Sequence, residues 1–155
     1  MIIYNRSIEH DLLLAHWWGL LHASGELHTT FTKSIDSLSS FYTLFRPPAS
    51  LVFYTDADGI WLAAWFEPVL SGAFMGLWLR ADKRRSRSAY RSILTLYREA
   101  LTVWPVLIGV TRHERLLDQH RRLGYTLLGK IPLLFDDEGA YILTLTKQTF
   151  HDREV

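Results

Sequence analysis

The chain has no cysteine. That absence removes a disulfide framework, a thiolate nucleophile and a cysteine-built zinc site together, and it suits a reducing compartment. An excess of one charge is also lacking: 17 basic residues against 16 acidic ones leave a net charge of +1. Bulk electrostatics therefore do not draw the chain to nucleic acid or to a membrane, and only a local cluster could. No run approaches the roughly 18 consecutive apolar residues of a membrane span. The opening MIIYNRSIEHDLLLAHWW carries neither the basic lead nor the small-residue cleavage site of a signal peptide. A cytoplasmic protein is expected. With 155 residues, 48% of them hydrophobic, one self-sufficient core is within reach. A single domain over 1–155 is expected, with residues 148–155 as a frayed tail.

Periodicity and turn chemistry set out the order of elements. MIIYN reads as a short strand, and Ser7 caps a helix over about residues 8 to 22, with Glu9 and Asp11 in its first turn and Leu13, Trp17, Leu20 and Leu21 facing inward. Ser34 is expected to cap a second helix carrying Ile35, Leu38, Phe41, Tyr42 and Phe45, which Pro47 and Pro48 end. Two aromatic and β-branched runs joined through Asp58-Gly59 predict a hairpin, and a third strand, AFMGLWLR, follows the turn at Ser71-Gly72.

The period then changes from two to 3.6. Tyr90, Ile93, Leu94, Tyr97 and Leu101 line one helical face, Arg91, Thr95 and Arg98 the other, and Pro105 stops the helix. VLIGV is a uniformly apolar strand, paired parallel to residues 73 to 80 through a helical crossover. Thr111 and Glu114 make a capping box for a fourth helix that Gly124 closes, and two final strands meet through Asp136 to Gly139.

One stretch carries a concentration of charge. From Arg80 to Arg87, five of eight side chains are basic, where a strand gives way to a helix expected to begin near Ala89. The free N–H groups of a first helical turn attract anions, and Arg84, Arg85 and Arg87 add donors suited to phosphate oxygens. The competing interpretations are a nucleic-acid contact, since seven basic residues face only Asp82 between Arg80 and Arg98, and a solvated charged turn. The cluster sits at one helix start with no second patch to follow a backbone, so nucleic acid is not expected.

Other patterns deflate. His10, His16, His22 and His28 recur every six residues, but six residues turn a helix by about 240°, so they share no face as metal ligands. No metal site is expected. The six tryptophans fall mostly on core-facing positions, where aromatics supply buried area.

The order of strand, two helices, three antiparallel strands, helix, strand, helix and two strands resembles the Gcn5-related N-acetyltransferases (GNAT) over nearly the whole chain. The resemblance implies an α+β fold, with a central mixed, mainly antiparallel sheet of about seven strands flanked by four helices and one splayed parallel pair. Arg84-Arg85-Ser86-Arg87-Ser88-Ala89 is similar to the family's pyrophosphate loop, with Arg87 where the family prefers Gly. HERLLDQHRRLGY resembles the segment in which an Asn opens a helix and a Tyr precedes the Leu-Gly-aromatic ending. His113 stands at the Asn position and His120 at the Tyr position.

What the resemblance implies is acetyl-CoA as co-substrate and direct attack of a primary amine on the thioester. Backbone amides of residues 85 to 89 would hold the pyrophosphate, and the pantetheine would lie between the strands at 73 to 80 and 106 to 111. Arg80, Arg84, Arg85, Arg87, Ser86, Ser88, Ala89 and His113 are then cofactor-side residues, and a main-chain N–H near Trp78 or Leu79 meets the oxyanion. His120 is expected as the acid that protonates the departing thiolate, against a packing role on the stripe of Leu116 and Leu123. Glu67 is the candidate base, against an exposed strand-end residue, and Asp82 is an ion-pair partner within the basic loop. The acceptor, a small-molecule or peptide amine, would be shaped by residues 22 to 33 and by the turn from Pro132 to Gly139. A second copy of the chain, in a homodimer, is the protein partner admitted. The alternative is a GNAT-like module without catalysis that binds or assembles, as in a bacteriophage or bacterial complex.

Overall fold

The computed structural model describes residues 1–31, 35–135 and 138–151. Ser34, Asp136 and Asp137, on which a cap and a turn were expected, lie outside them. By backbone contacts the chain divides into two compact units: Met1–Glu67 with Gly76–Lys83, and Pro68–Met75 with Arg84–Val155. Among the described residues a seven-stranded sheet has the order β1-β2-β3-β4-β5-β7-β6 and accompanies five α-helices. The β4–β5 pair is parallel and the other described ladders are antiparallel. This is the expected mixed sheet. No helix among the described residues is long and apolar enough to cross a membrane.

The first unit holds β1 (Ile2–Ile3), α1 (Ile8–Ser24), α2 (Leu27–Thr30), α3 (Leu38–Leu44), β2 (Ser50–Asp56) and most of β3 (Gly59–Val69). It also holds the second half of β4 (Gly72–Leu79). Ser7 caps α1 as expected, its hydroxyl accepting the His10 N–H at 3.3 Å. Leu14, Trp17 and Leu21 are the buried stripe, while Leu13 and Leu20 are only half-buried. Ser37, not a residue further upstream, caps α3 by accepting the Ser40 N–H at 3.1 Å.

Trp17 is the hub of this core. Six aromatic rings, those of Phe31, Phe41, Phe45, Phe53, Trp65 and Trp78, have centroids 5.2 to 6.1 Å from its own. Gly76 makes this packing fit, because a Cβ there would collide with the Trp65 indole. The Trp65 ring thus rests on bare backbone and meets Phe31 at 4.8 Å.

The second unit holds α4 (Arg87–Val103), β5 (Val106–Thr111), α5 (Leu117–Leu123), β6 (Thr126–Phe135) and β7 (Glu138–Thr146). Ile93, Leu94, Tyr97 and Leu101 are buried on α4 and Arg91, Thr95 and Arg98 exposed, as its period predicts, while Tyr90, on the same stripe near the start of the helix, is only half-buried. The parallel ladder covers Ala73↔Leu107 and Phe74↔Ile108, and β5 runs three residues further, to Thr111. Along β5 burial alternates, with Leu107, Gly109 and Thr111 buried, so the strand is less uniformly enclosed than its composition suggests.

The expected capping box does not form. The Thr111 hydroxyl accepts the N–H of His113 at 3.2 Å, and a 3-10 turn at Glu114–Leu116 precedes α5. At the other end of α5, Gly124 has φ +99, and a Cβ there would strike the Thr149 carbonyl. The expected tail is fastened at least to His151, whose N–H donates to the Leu123 carbonyl at 2.9 Å. β6 ends the sheet and carries register shifts between Leu127 and Gly129 and between Ile131 and Phe135.

Candidate functional site

The start of α4 is the most anion-ready backbone among the sites named from sequence. Ser86 is the cap, with φ −82 and ψ 126, and its hydroxyl accepts the Ala89 N–H at 3.3 Å. Its carbonyl accepts the Tyr90 N–H at 3.0 Å. The helix therefore begins two residues earlier than its apolar stripe suggests. The Ala89 amide is engaged in the cap, and Arg87 and Ser88 are the first-turn residues whose N–H groups precede the helical ladder. Ser86 and Ser88 hydroxyls lie 2.9 Å apart, and Arg84, Arg85 and Arg87 are all exposed. Among described non-glycine residues, positive φ occurs at Arg6 and Leu70. Arg87 is thus free of left-handed strain in the position where the family prefers glycine.

In the same unit, His113 and His120 flank the turn into α5. His113 is half-buried and opens the 3-10 turn without capping it through its side chain. His120 is half-buried as well, with Nδ1 2.7 Å from the Leu116 carbonyl oxygen. Its ring stands edge-on to Tyr125, at 5.2 Å and 77°. Burial lowers its pKa below the ordinary 6.5, and the bond to Leu116 opposes that only in part. Sequence reasoning missed Tyr125, treated only as the aromatic end of a motif. Tyr125 is buried, donates to the Tyr97 hydroxyl at 3.4 Å, and packs on Gly109, where a Cβ would lie 3.2 Å from its ring. The glycine within an apolar strand was the available signal.

The remaining candidates belong to the first unit. Trp78 is buried, and its Nε1 donates to Glu26 Oε2 at 3.0 Å. Leu79 is half-buried and Glu67 exposed, one rung beyond the Ser50↔Phe66 pair. Arg80 is committed to carboxylates: its guanidinium donates to Asp56 at 2.7 and 3.1 Å and to Asp82 at 2.6 and 3.0 Å. Asp82 is the ion-pair partner expected in the loop, and Lys83 adds a contact to Asp56 at 3.3 Å. The structure thus brings Arg84 to Ala89, His113 and His120 into one unit, and keeps Trp78, Leu79, Arg80 and Glu67 in the other.

The Arg80 hydrogen bonds hold the Asp56 carboxyl well below the usual carboxylate range, and Arg80 lowers Asp82 in the same way. Folded-state values below the unfolded ones mean stability that is present above about pH 4 and lost as pH falls toward the folded values. Urea midpoints measured from neutral pH downward should therefore fall more steeply in the wild type than in Asp56→Asn. Parallel curves would show that the cluster adds nothing.

No protein-family model matches the chain, and no curated protein does. Solved structures do. An N-acetyltransferase from Staphylococcus aureus Mu50 superimposes with a TM-score of 0.71 at 11% identity, over 94% of this chain and 97% of that one. The spermidine N-acetyltransferase from Vibrio cholerae, solved in complex with CoA and spermine, gives 0.69 at 8% identity over 96% of each chain. A GCN5-related N-acetyltransferase from Kribbella flavida gives 0.63 at 13% identity, over 94% and 96%. Agreement of this extent at such low identity is agreement of fold, and it matches the strand order and the parallel pair described above: the chain has the GNAT fold.

Proposed function

We propose that the protein is an acyl-CoA-dependent N-acyltransferase that moves an acetyl group from acetyl-CoA to a primary amine. The observation that carries this is the start of α4: a serine-capped, 17-residue helix whose first turn presents the Arg87 and Ser88 amides beside exposed arginines. Such a terminus offers a pyrophosphate backbone donors, the positive end of the helix dipole and guanidinium groups together. In this reading Arg84, Arg85 and Arg87 steady the diphosphate, and the pantetheine follows β5 where it runs past Ile108. Arg80 is left out of the seat, because Asp56 and Asp82 already hold its guanidinium.

The reaction is direct. The amine nitrogen bonds to the thioester carbon, the carbon–sulfur bond breaks, and coenzyme A leaves as a thiolate. The donor set fits the nucleotide, and the CoA complex of the Vibrio cholerae enzyme shares the fold. The acceptor is an amine on a small molecule or on a peptide. A second reading, a binding module without catalysis, is favoured by the setting of His120: its Nδ1 is held 2.7 Å from the Leu116 carbonyl oxygen, and burial lowers its pKa, which disfavours the protonated acid that the family resemblance implies.

Calorimetry with acetyl-CoA separates the two. Micromolar binding is expected, weakened about tenfold for each of Arg85→Ala and Arg87→Ala, since a hydrogen bond to a charged group contributes about 1.5 kcal/mol. Absence of heat at millimolar acetyl-CoA would exclude the enzyme and leave the module.

A further inference from the structure

We propose that the outer face of α1 is a homodimer interface, on which two copies of the chain pack their α1 helices antiparallel about a two-fold axis. α1 carries apolar side chains on every side, whereas a helix laid on a core needs only one apolar stripe. Leu14, Trp17 and Leu21 face the core. On the opposite side Ile8, Leu12, Ala15, Gly19 and His22 recur at steps of four, three, four and three residues, the spacing of a seam between two helices. Ile8 is 81% exposed and Leu12, one turn on, 67%, and Gly19 is exposed as well. The helix has no lysine or arginine, and of its two carboxylates Asp11 is turned aside, accepting the Tyr4 hydroxyl at 2.5 Å.

The face fits a copy of itself that runs the other way. Its large residues, Ile8 and Leu12, stand in the first half of the helix, and its small ones, Gly19 and Ala23, in the second. An antiparallel copy centred between Ala15 and His16 sets Leu12 against Gly19 and Ile8 against Ala23, so each protrusion meets a hollow. Space for it exists, because nothing lies within 4 Å of the position a Gly19 Cβ would take. The same register sets Glu9 of one copy opposite His22 of the other, both exposed, a carboxylate against a ring N–H at either end of the contact. The opposed helix dipoles add to the pairing. His16, beside the axis, leans away, with Nε2 3.4 Å from where a Gly59 Cβ would stand, and leaves the centre to Ala15.

A membrane surface suits this face poorly, because two acidic side chains with no lysine or arginine set the helix against anionic lipid. A helix of 17 residues is about 25 Å long. Two of them in contact along their length bury roughly 1,000 Å², near the lower limit for a specific interface. The dimer is therefore expected to dissociate in the micromolar range. It stands whether or not the chain transfers acyl groups, since every residue it uses lies in the first unit and none at the start of α4 or on α5.

Sedimentation equilibrium from micromolar to millimolar protein should show monomer and dimer in exchange. Leu12→Glu should weaken the dimer about a hundredfold, and Gly19→Leu should do the same by filling the hollow that takes Leu12 of the other copy. Below the dissociation constant, Gly19→Leu should nevertheless raise the urea midpoint, since leucine replaces glycine in a helix with open space around it, and misfolding is then ruled out as the cause of a lost dimer. The chain has no cysteine of its own, so single substitutions report the register. Under mild oxidant Ala15→Cys should link to itself across the axis. Ala23→Cys should not, yet should link to Ile8→Cys on a second copy. A protein monomeric at millimolar concentration, a dimer indifferent to both Leu12→Glu and Gly19→Leu, or an Ala23→Cys that links to itself overturns the proposal. Retention of the monomer on phosphatidylserine vesicles, lost in Leu12→Glu, would give the face to a membrane and overturn it as well.

Discussion

Replacing Trp17 by alanine is expected to destabilise the protein by about 4 kcal/mol, near the top of the range for core aromatics. The indole is fully buried and six rings surround it, so its removal takes one wall from each contact at once. Those rings come from several elements, among them α3, β2, β3 and β4, and although Phe31, Phe41, Phe45 and Trp65 touch one another, Phe53 and Trp78 reach the cluster from separate strands. Trp17→Phe should cost far less than its lost volume suggests. The Trp17 Nε1 is buried with no acceptor among the described residues, and phenylalanine removes that unpaired donor, whose desolvation costs about 1–3 kcal/mol. Urea unfolding of both variants checks the pair. A small loss in the alanine variant would mean that the cluster repacks without its hub.

The second large effect is at Gly124. Gly124→Ala should cost about 3 kcal/mol: some 1–2 for forcing an L residue to positive φ, and the remainder for pushing a Cβ into the Thr149 carbonyl. Gly25→Ala is the control. That glycine also ends a helix at positive φ, +69, but nothing lies within 4 Å of its would-be Cβ, so only the strain of about 1 kcal/mol applies. Equal losses at the two sites would show that the fastening of Thr149 and Phe150 beneath α5 adds nothing.

Much of the architecture was legible because local chemistry and tertiary demand agreed. The Asp58-Gly59 hairpin, the α4 stripe, the stop at Pro105 and the close of α5 at Gly124 all follow from signals within a few residues. α1 was harder. Its leucines and tryptophans surround the helix, so the spacing that put Leu13 and Leu20 inward beside Trp17 and Leu21 was one of several, and the core takes Leu14, Trp17 and Leu21. The start of α4 shifted for a different reason. Ser86 and Ser88 are both competent caps, and only the Ser86 bond to the Ala89 N–H decides between them.

The site was legible in its charge and not in its state. The arginines announced a place for anions, yet the fate of Arg80 depends on Asp56, 24 positions away in sequence. His120 was visible as a titratable group facing a helix stripe. Whether it gives or takes a proton depends on a carbonyl four residues back and on the ring of Tyr125, and neither is encoded in the spacing that drew attention to it.

The two rims of the sheet bear on how the chain behaves in a crowd. At one rim β1 offers only Ile2 and Ile3 for pairing. At the other, β6 exposes Leu128 and Ile131, a sticky pair, but two slips in its ladder, the charge of Lys130 and the missing N–H of Pro132 interrupt any straight row of donors. Among the described residues, these interruptions leave β6 a poor straight template for stacking strand on strand.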